Sequence, residues 1–168
     1  MGRRPIRATV HGATDQQGRA DALRDALARW ASGVAVVAVR DEPHVYAITA
    51  TAFAPVSLAP PLVLVCVGPN ASVWPFLDVG APFAVSFLAA GQRRVASMVA
   101  DGGPLLRSLF PPSGDPIVEG AVAALACTVD ATHPGGDHRI VIGAVDRVLV
   151  GSDSPPLAYF DREYRTLE

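Results

Sequence analysis

Residues 46–67 read YAITATAFAPVSLAPPLVLVCV, and the fold turns on how this run divides. It has 22 residues and no charged side chain. An uncharged run of that length fits a membrane span, buried strands or a wall against a ligand. The prolines argue against the span. Pro55, Pro60 and Pro61 cut it into two short apolar strands joined by an irregular turn. Around the turn stand three hydroxyls, Thr49, Thr51 and Ser57, among four alanines, Ala47, Ala50, Ala52 and Ala54. Residues two apart on a strand share a face, so Thr49 and Thr51 point the same way. Small side chains leave the backbone open to close approach. Free N–H groups and short hydroxyls, without charge, suit a flat neutral ring with polar edges. A Thr/Ala-rich core strand followed by a proline turn has the same spacing, and these residues alone do not choose between the two.

The whole chain of 168 residues favours one domain with a sizeable core. Its composition, 50% hydrophobic and 18% charged, belongs to a folded chain. A net charge of −2 with no basic face argues against nucleic acid as a partner. All 14 basic residues are arginine. The lack of lysine excludes Schiff-base catalysis and a Walker-type phosphate loop. The 15 glycines and 15 prolines imply many turns, as in a barrel of short strands. Cys66 and Cys127 lie in apolar runs and read as reduced core thiols of a cytoplasmic protein. Residues 1–20 carry Arg3, Arg4 and Arg7 with no apolar stretch after them. They read as a mobile arm ahead of one domain over 21–168, not as a secretion signal. No later run has about 18 apolar residues free of proline, so no membrane helix is expected.

Leu23, Ala26, Leu27 and Trp30 follow helical spacing and predict a helix over about 21–31, with Trp30 as a core anchor. Strands are predicted over 34–39 and 44–51, as a hairpin around Pro43, and over 62–67. Ser72 is placed to cap a short helix, SVWPFLDVG. Behind Asn70, the start of that helix would offer N–H groups to a phosphate; an ordinary cap is the alternative. A strand over 83–88 and a helix over 91–100 follow. Residues 101–119 are Gly/Pro-rich and read as a surface excursion. The last two strands, 121–132 and 140–150, form a long hairpin through Gly135-Gly136-Asp137, with Asp146 and Arg147 toward solvent. The tail PPLAYFDREYRTLE should pack Leu157, Tyr159 and Phe160 back on the body. At least six strands without regular βα alternation predict an antiparallel barrel with helices at its ends.

The chain has no G-x-G-x-x-G, G-x-S-x-G or C-x-x-C. Asp130, His133, Asp137 and His138 flank a hairpin turn and lack the spacing of a zinc site, so no metal is expected. His11 and His44 read as solvated. His138 stands in GDHRIVIGAV, at the mouth of a strand just past a flexible glycine turn. Asp137 beside it can hold the ring by charge or cap the turn. A histidine at a barrel rim can donate to an amide or a ribose, or supply a proton near neutral pH. A rim histidine without a role fits the same residues.

Five segments in order carry a family likeness: ALARWASGVAVVA, AITATAFAPVSLAPPLVLVCV, FAVSFLAAGQRRVASMVA, GDHRIVIGAV and PLAYFDREYRTL. From about Leu23 to Leu167 the chain resembles the flavin reductase family with the FMN-binding split-barrel fold. Its members are the small reductase components of two-component flavin monooxygenases. The resemblance implies a mainly β protein, an antiparallel six-stranded split β-barrel with peripheral helices. It also implies a homodimer with FMN or FAD in a groove at the subunit contact. Thr49, Ala50, Thr51, Ala52 and Phe53 match the segment along the isoalloxazine ring. Ser57 matches the serine of the PVSLAPP turn, and Asn70 and Ser72 the loop toward the ribityl phosphate. Ala89, Ala90 and Gln92 match a loop bordering the same flavin. His138 matches the histidine of the GDH motif, near the expected nicotinamide. Many relatives carry Ser or Asn where this chain has Ala52, which bears on flavin strength and choice rather than on fold. The implied reaction is hydride transfer from NADH or NADPH to the flavin, which then serves a separate monooxygenase. His138 would position the nicotinamide, and Arg93 and Arg94 are the nearest candidates for a basic clamp. A non-catalytic flavin-binding or electron-carrier protein is the alternative on the same fold. An oxidase of the pyridoxamine-phosphate type would want more basic residues.

Overall fold

Strand β2, Ala35–Asp41, is apolar without a break from Ala35 to Val39 because both of its faces are covered there. Ala35, Val37 and Val39 point into one core, while Val34, Val36 and Ala38 enter a second beneath a helix. Each such valine contributes on the order of 1.5–3 kcal/mol by leaving water. The computed structural model describes residues 16–102, 108–151 and 153–167. Helix α1 spans Gln16–Leu27, and β1 is the short Ser32–Gly33. After β2 come β3 (His44–Ala50), β4 (Phe53–Leu58) and β5 (Pro61–Val67). A single 3-10 turn, Trp74–Phe76, precedes β6 (Pro82–Phe87). Another, Ala90–Gln92, leads into α2 (Arg93–Asp101). Strands β7 (Ala123–Gly135) and β8 (His138–Val150) form the long hairpin, and β9 (Leu157–Phe160) and β10 (Glu163–Thr166) close the chain.

The main sheet has seven strands in the order β3-β2-β6-β7-β8-β5-β4, each pair antiparallel. A second sheet, β1-β9-β10, has three. The main sheet curls. Phe53 of β4 and Phe87 of β6 stand four places apart in strand order, yet their rings meet edge to face at 4.9 Å. One core thus gathers Val37, Val65, Phe83, Leu125 and Val141 from five strands. The second core sits between β2, β3, Ala96 and Val99 of α2, and Leu157.

The mainly β, antiparallel character expected from the sequence is present, but a closed six-stranded barrel is not. The sheet has seven strands, and its edges β3 and β4 share no ladder. The extra strand is β4, where the sequence predicted an irregular turn. Pro55 is tolerated because β4 is an edge strand, and a bulge between Pro55 and Ser57 absorbs the irregularity. The long hairpin bends at Asp130 and Asp146, each skipped by its partner strand. Gly136, at φ +70°, makes its turn.

Four further expectations need correction. The first helix begins at Gln16, so residues 16–20 belong to it rather than to an arm; residues 1–15 lie outside the described residues. Trp30 is no core anchor: it is 73% exposed, and α1 buries no residue. Phe160 is likewise exposed, whereas Leu157 is buried. The 101–119 excursion is partly tucked in, with Phe110 and Val118 buried. Arg40 holds it, donating to the carbonyls of Pro111 at 2.6 Å and Gly114 at 2.8 Å. Residues 103–107, including part of the LLRSLF piece, lie outside the described residues. Among the described residues no helix is long and apolar enough to cross a membrane.

Candidate functional site

The two edges of the curled sheet are joined by only Thr51 and Ala52. This seam is exposed. Lying between strands, its amides belong to no ladder, and neither finds an acceptor among the described residues. Its far side is fixed, because Cys66 N–H donates to Ala52 O at 3.0 Å. The result is a ledge of unpaired main-chain donors with a hydroxyl on it.

A cleft opens on each side of the ledge, and Thr51, Ala52 and Cys66 line both. One, of about 700 Å³, is largely apolar: Phe53, Leu64, Tyr159, Leu27 and Trp30 wall it, with Arg24 and Arg162 among its lining. The other, of about 420 Å³, is lined by Thr49, Asn70, Gly68 and His138, with Val99 and Ala100 of α2. Both volumes lie in the range of small-molecule sites. Among the described residues neither cleft is lined by a carboxylate, and the polar one has no arginine either.

The sequence-derived residues divide. Thr49, Ala50, Thr51, Ala52, Asn70 and His138 share the polar cleft, and Phe53 lines the apolar one. Thr49 is not a free hydroxyl, since it donates to Ala96 O at 2.6 Å and ties β3 to α2. Ser57 accepts from Ala59 N–H at 3.2 Å and lines neither cleft. Ser72 caps nothing. Its hydroxyl donates to Ala47 O at 2.9 Å, and the predicted SVWPFLDVG helix is reduced to the Trp74–Phe76 turn. Arg139 takes carbonyls that a longer helix would use: its guanidinium sits 4.2 Å over the Trp74 ring and donates to Trp74 O and Leu77 O. Ala89, Ala90 and Gln92 stand apart from both clefts. Ala90 N–H donates to Pro155 O, and Gln92 bridges Ala89 N–H and Glu119 O. Arg93 donates to Tyr164 O, so it is engaged in holding β10.

His138 stands at the rim with its Nδ1 2.7 Å from Asp137 Oδ1. That hydrogen bond, and the ring's charge whenever it is protonated, hold the Asp137 carboxyl below its ordinary range. The other ring nitrogen faces Gly68, where an added methyl would lie 3.4 Å from Nε2. Sequence reasoning missed Cys66, Gly68 and Tyr159. Cys66 was within reach: Val63, Val65 and Val67 alternate inward on β5, which turns Leu64 and Cys66 to the other face.

The curled antiparallel sheet thus carries an amide-lined ledge between two clefts. Residues 27–168 match the family described as flavin reductase like domain, and the chain belongs to that family. It is 45% identical over 147 residues to the reductase component of 4-hydroxyphenylacetate 3-monooxygenase of Thermus thermophilus, covering 88% of this chain and 96% of that one. It is 38% identical over 151 residues to an NADH-dependent flavin reductase of a Rhodococcus species, covering 87% and 85%. Among solved structures it resembles the NADH:FAD oxidoreductase SgcE6 of Streptomyces globisporus, seen with NAD and FAD fragments. That likeness has a TM-score of 0.81 and 33% identity, over 92% of this chain and 95% of that one.

Proposed function

We propose that the protein is an NAD(P)H-dependent flavin reductase that delivers reduced FMN or FAD to a separate monooxygenase. The Thr51–Ala52 ledge carries this reading, because it offers unpaired amides to a neutral ring with clefts on either side. Flavin fits the residues present: an apolar wall for its rings, amides and Thr51 for its polar edge, and no carboxylate among the described lining residues to repel its phosphate. The chemistry supplied by bound flavin is acceptance, at N5, of the hydride that NAD(P)H carries at C4. The chain itself binds and orients. Amides of Thr51 and Ala52 would donate to the negative charge that gathers on a reduced ring. Asn70 and His138 border the polar cleft, where the nicotinamide half would be held close to the ring. A polar cleft lined by no arginine suits modest affinity and release of the product. Ser57, Ser72, Ala89, Ala90 and Gln92 act, in this reading, only through the scaffold.

The curled sheet would be the split barrel of the family, with its split at the β3–β4 seam. Leu23, Leu27 and Trp30 leave an apolar face open beside the ledge, and we assign it to a second copy of the chain in a homodimer. Two free cysteines and the use of nicotinamide fit work in the cytoplasm. Purified protein with excess FMN is expected to oxidise NADH or NADPH well above the free-flavin background, followed by loss of nicotinamide absorbance. Flavin binding without such oxidation would instead favour an electron carrier.

A further inference from the structure

We propose that Asp137 sets His138 as a hydrogen-bond acceptor in the polar cleft, so that the group it recognises is a donor. Resting on the reductase reading above, that donor is the carboxamide NH2 of the nicotinamide. Asp137 is then a positioning residue, acting through the ring.

The inference follows from proton bookkeeping. His138 Nδ1 and Asp137 Oδ1 are 2.7 Å apart, so one proton lies between them. An ionised carboxylate only accepts, which places that proton on Nδ1. A neutral imidazole has a single N–H. Once it is engaged by Asp137, Nε2 keeps its lone pair. Nε2 is also the atom nearest to a methyl built on Gly68, and Gly68 and His138 line the same cleft. The lone pair is therefore presented to whatever occupies that cleft. A group with N–H or O–H is welcomed there, and a carboxylate is refused. The hairpin turn supplies the geometry: Gly136, at φ +70°, brings Asp137 onto the rim directly before the first residue of β8.

Two measurements test this. The first needs no turnover. In protein with nitrogen-15 histidine, with His138 assigned by its loss in His138→Ala, the neutral ring is expected to be protonated at Nδ1 and bare at Nε2. Asp137→Asn, whose amide oxygen still accepts, should keep that tautomer, and Asp137→Ala should lose it. A proton on Nε2 in the unaltered protein would overturn the proposal.

The second compares NADH with its nicotinic-acid analogue, in which a carboxylate replaces the carboxamide. The unaltered protein should show a KM at least about tenfold higher for the analogue. Asp137→Ala and Gly68→Ala, whose methyl covers Nε2, should each raise KM for NADH about three- to tenfold, the size of one hydrogen bond. They should change kcat and the flavin KM less, and Asp137→Asn should restore the NADH KM. In His138→Ala the discrimination between the two dinucleotides should shrink. Equal use of both by the unaltered protein would overturn the carboxamide assignment even if Nδ1 proves protonated. Absence of any NADH oxidation with flavin bound would sink the reductase reading and the carboxamide with it, while the tautomer is still decided by the first measurement.

Discussion

Thr49 and Thr51 carry the same side chain two positions apart and do different things. The Thr49 hydroxyl reaches back to Ala96 O at 2.6 Å, whereas Thr51 stands exposed on the seam between both clefts. Spacing could place both near one ligand, but not say which hydroxyl was already engaged, because the acceptor comes from a helix 47 residues along the chain. Ser72 makes the same point: it looked like a helix cap and is held by Ala47 of a distant strand. The contact between Asp137 and His138 was legible because the two are chain neighbours. The two threonines can be told apart. Thr51→Ala is expected to weaken FMN binding about three- to tenfold, the size of one lost hydrogen bond, with little change in stability. Thr49→Val should cost about 1 kcal/mol in urea unfolding and leave FMN binding nearly unaltered. Flavin titration and denaturation on the two variants check this, and the opposite pattern would move the ligand contact to Thr49.

Elements were legible where periodicity is local. Strands β2, β3, β5 and β6 fall within a residue or two of the segments that alternation marks out. Strand β4 was not, because prolines read as breakers unless the strand is known to lie at an edge, and edge position belongs to the whole sheet. Helix α1 was legible as a helix but not in its packing. Its apolar residues follow helical spacing, yet Leu23 is 58% exposed and Leu27 57%. Within one chain it is tethered by Asp161 N–H to Ala28 O and by Arg162 to Asp25, rather than by a core. A stripe of this kind beside the apolar cleft calls for a cover, which the proposed homodimer would provide. Leu27→Asp combined with Trp30→Glu is therefore expected to shift the protein from two chains to one in light scattering. Its circular dichroism should stay that of a folded β protein, since neither side chain supports the core of its own chain. The same change should weaken flavin binding, because both residues wall the apolar cleft. A single chain already in the unaltered protein would sink the dimer.

At the scale of the molecule, the ledge exists because an antiparallel sheet curls until its two edges almost meet and the chain crosses the gap in two residues. Nothing local in Thr51 or Ala52 announces that; the ordered family segments did, and the clefts give the physical reason. The surrounding chain has another whole-molecule property, the absence of lysine. Arginine does not titrate below pH 12, so the alkaline limb of stability is left to cysteines and tyrosines. Cys127 sits buried in the core, where burial, helped by the nearby charge of Asp146, pushes its thiol from 9.0 up to about 12. Between those values the unfolded chain gives up a proton that the folded chain keeps. The unfolded state then binds fewer protons, so stability must fall as pH rises from about 9 toward 12. Tyr164, raised chiefly by burial as well, adds a decline of the same sign. Urea unfolding across this range should show a plateau below pH 9 and a fall above it. Cys127→Ala should lower the plateau by about 1 kcal/mol, for the group removed from a packed core, and flatten the fall. A slope unchanged in that variant would assign the alkaline limb to the tyrosines and leave Cys127 with packing alone.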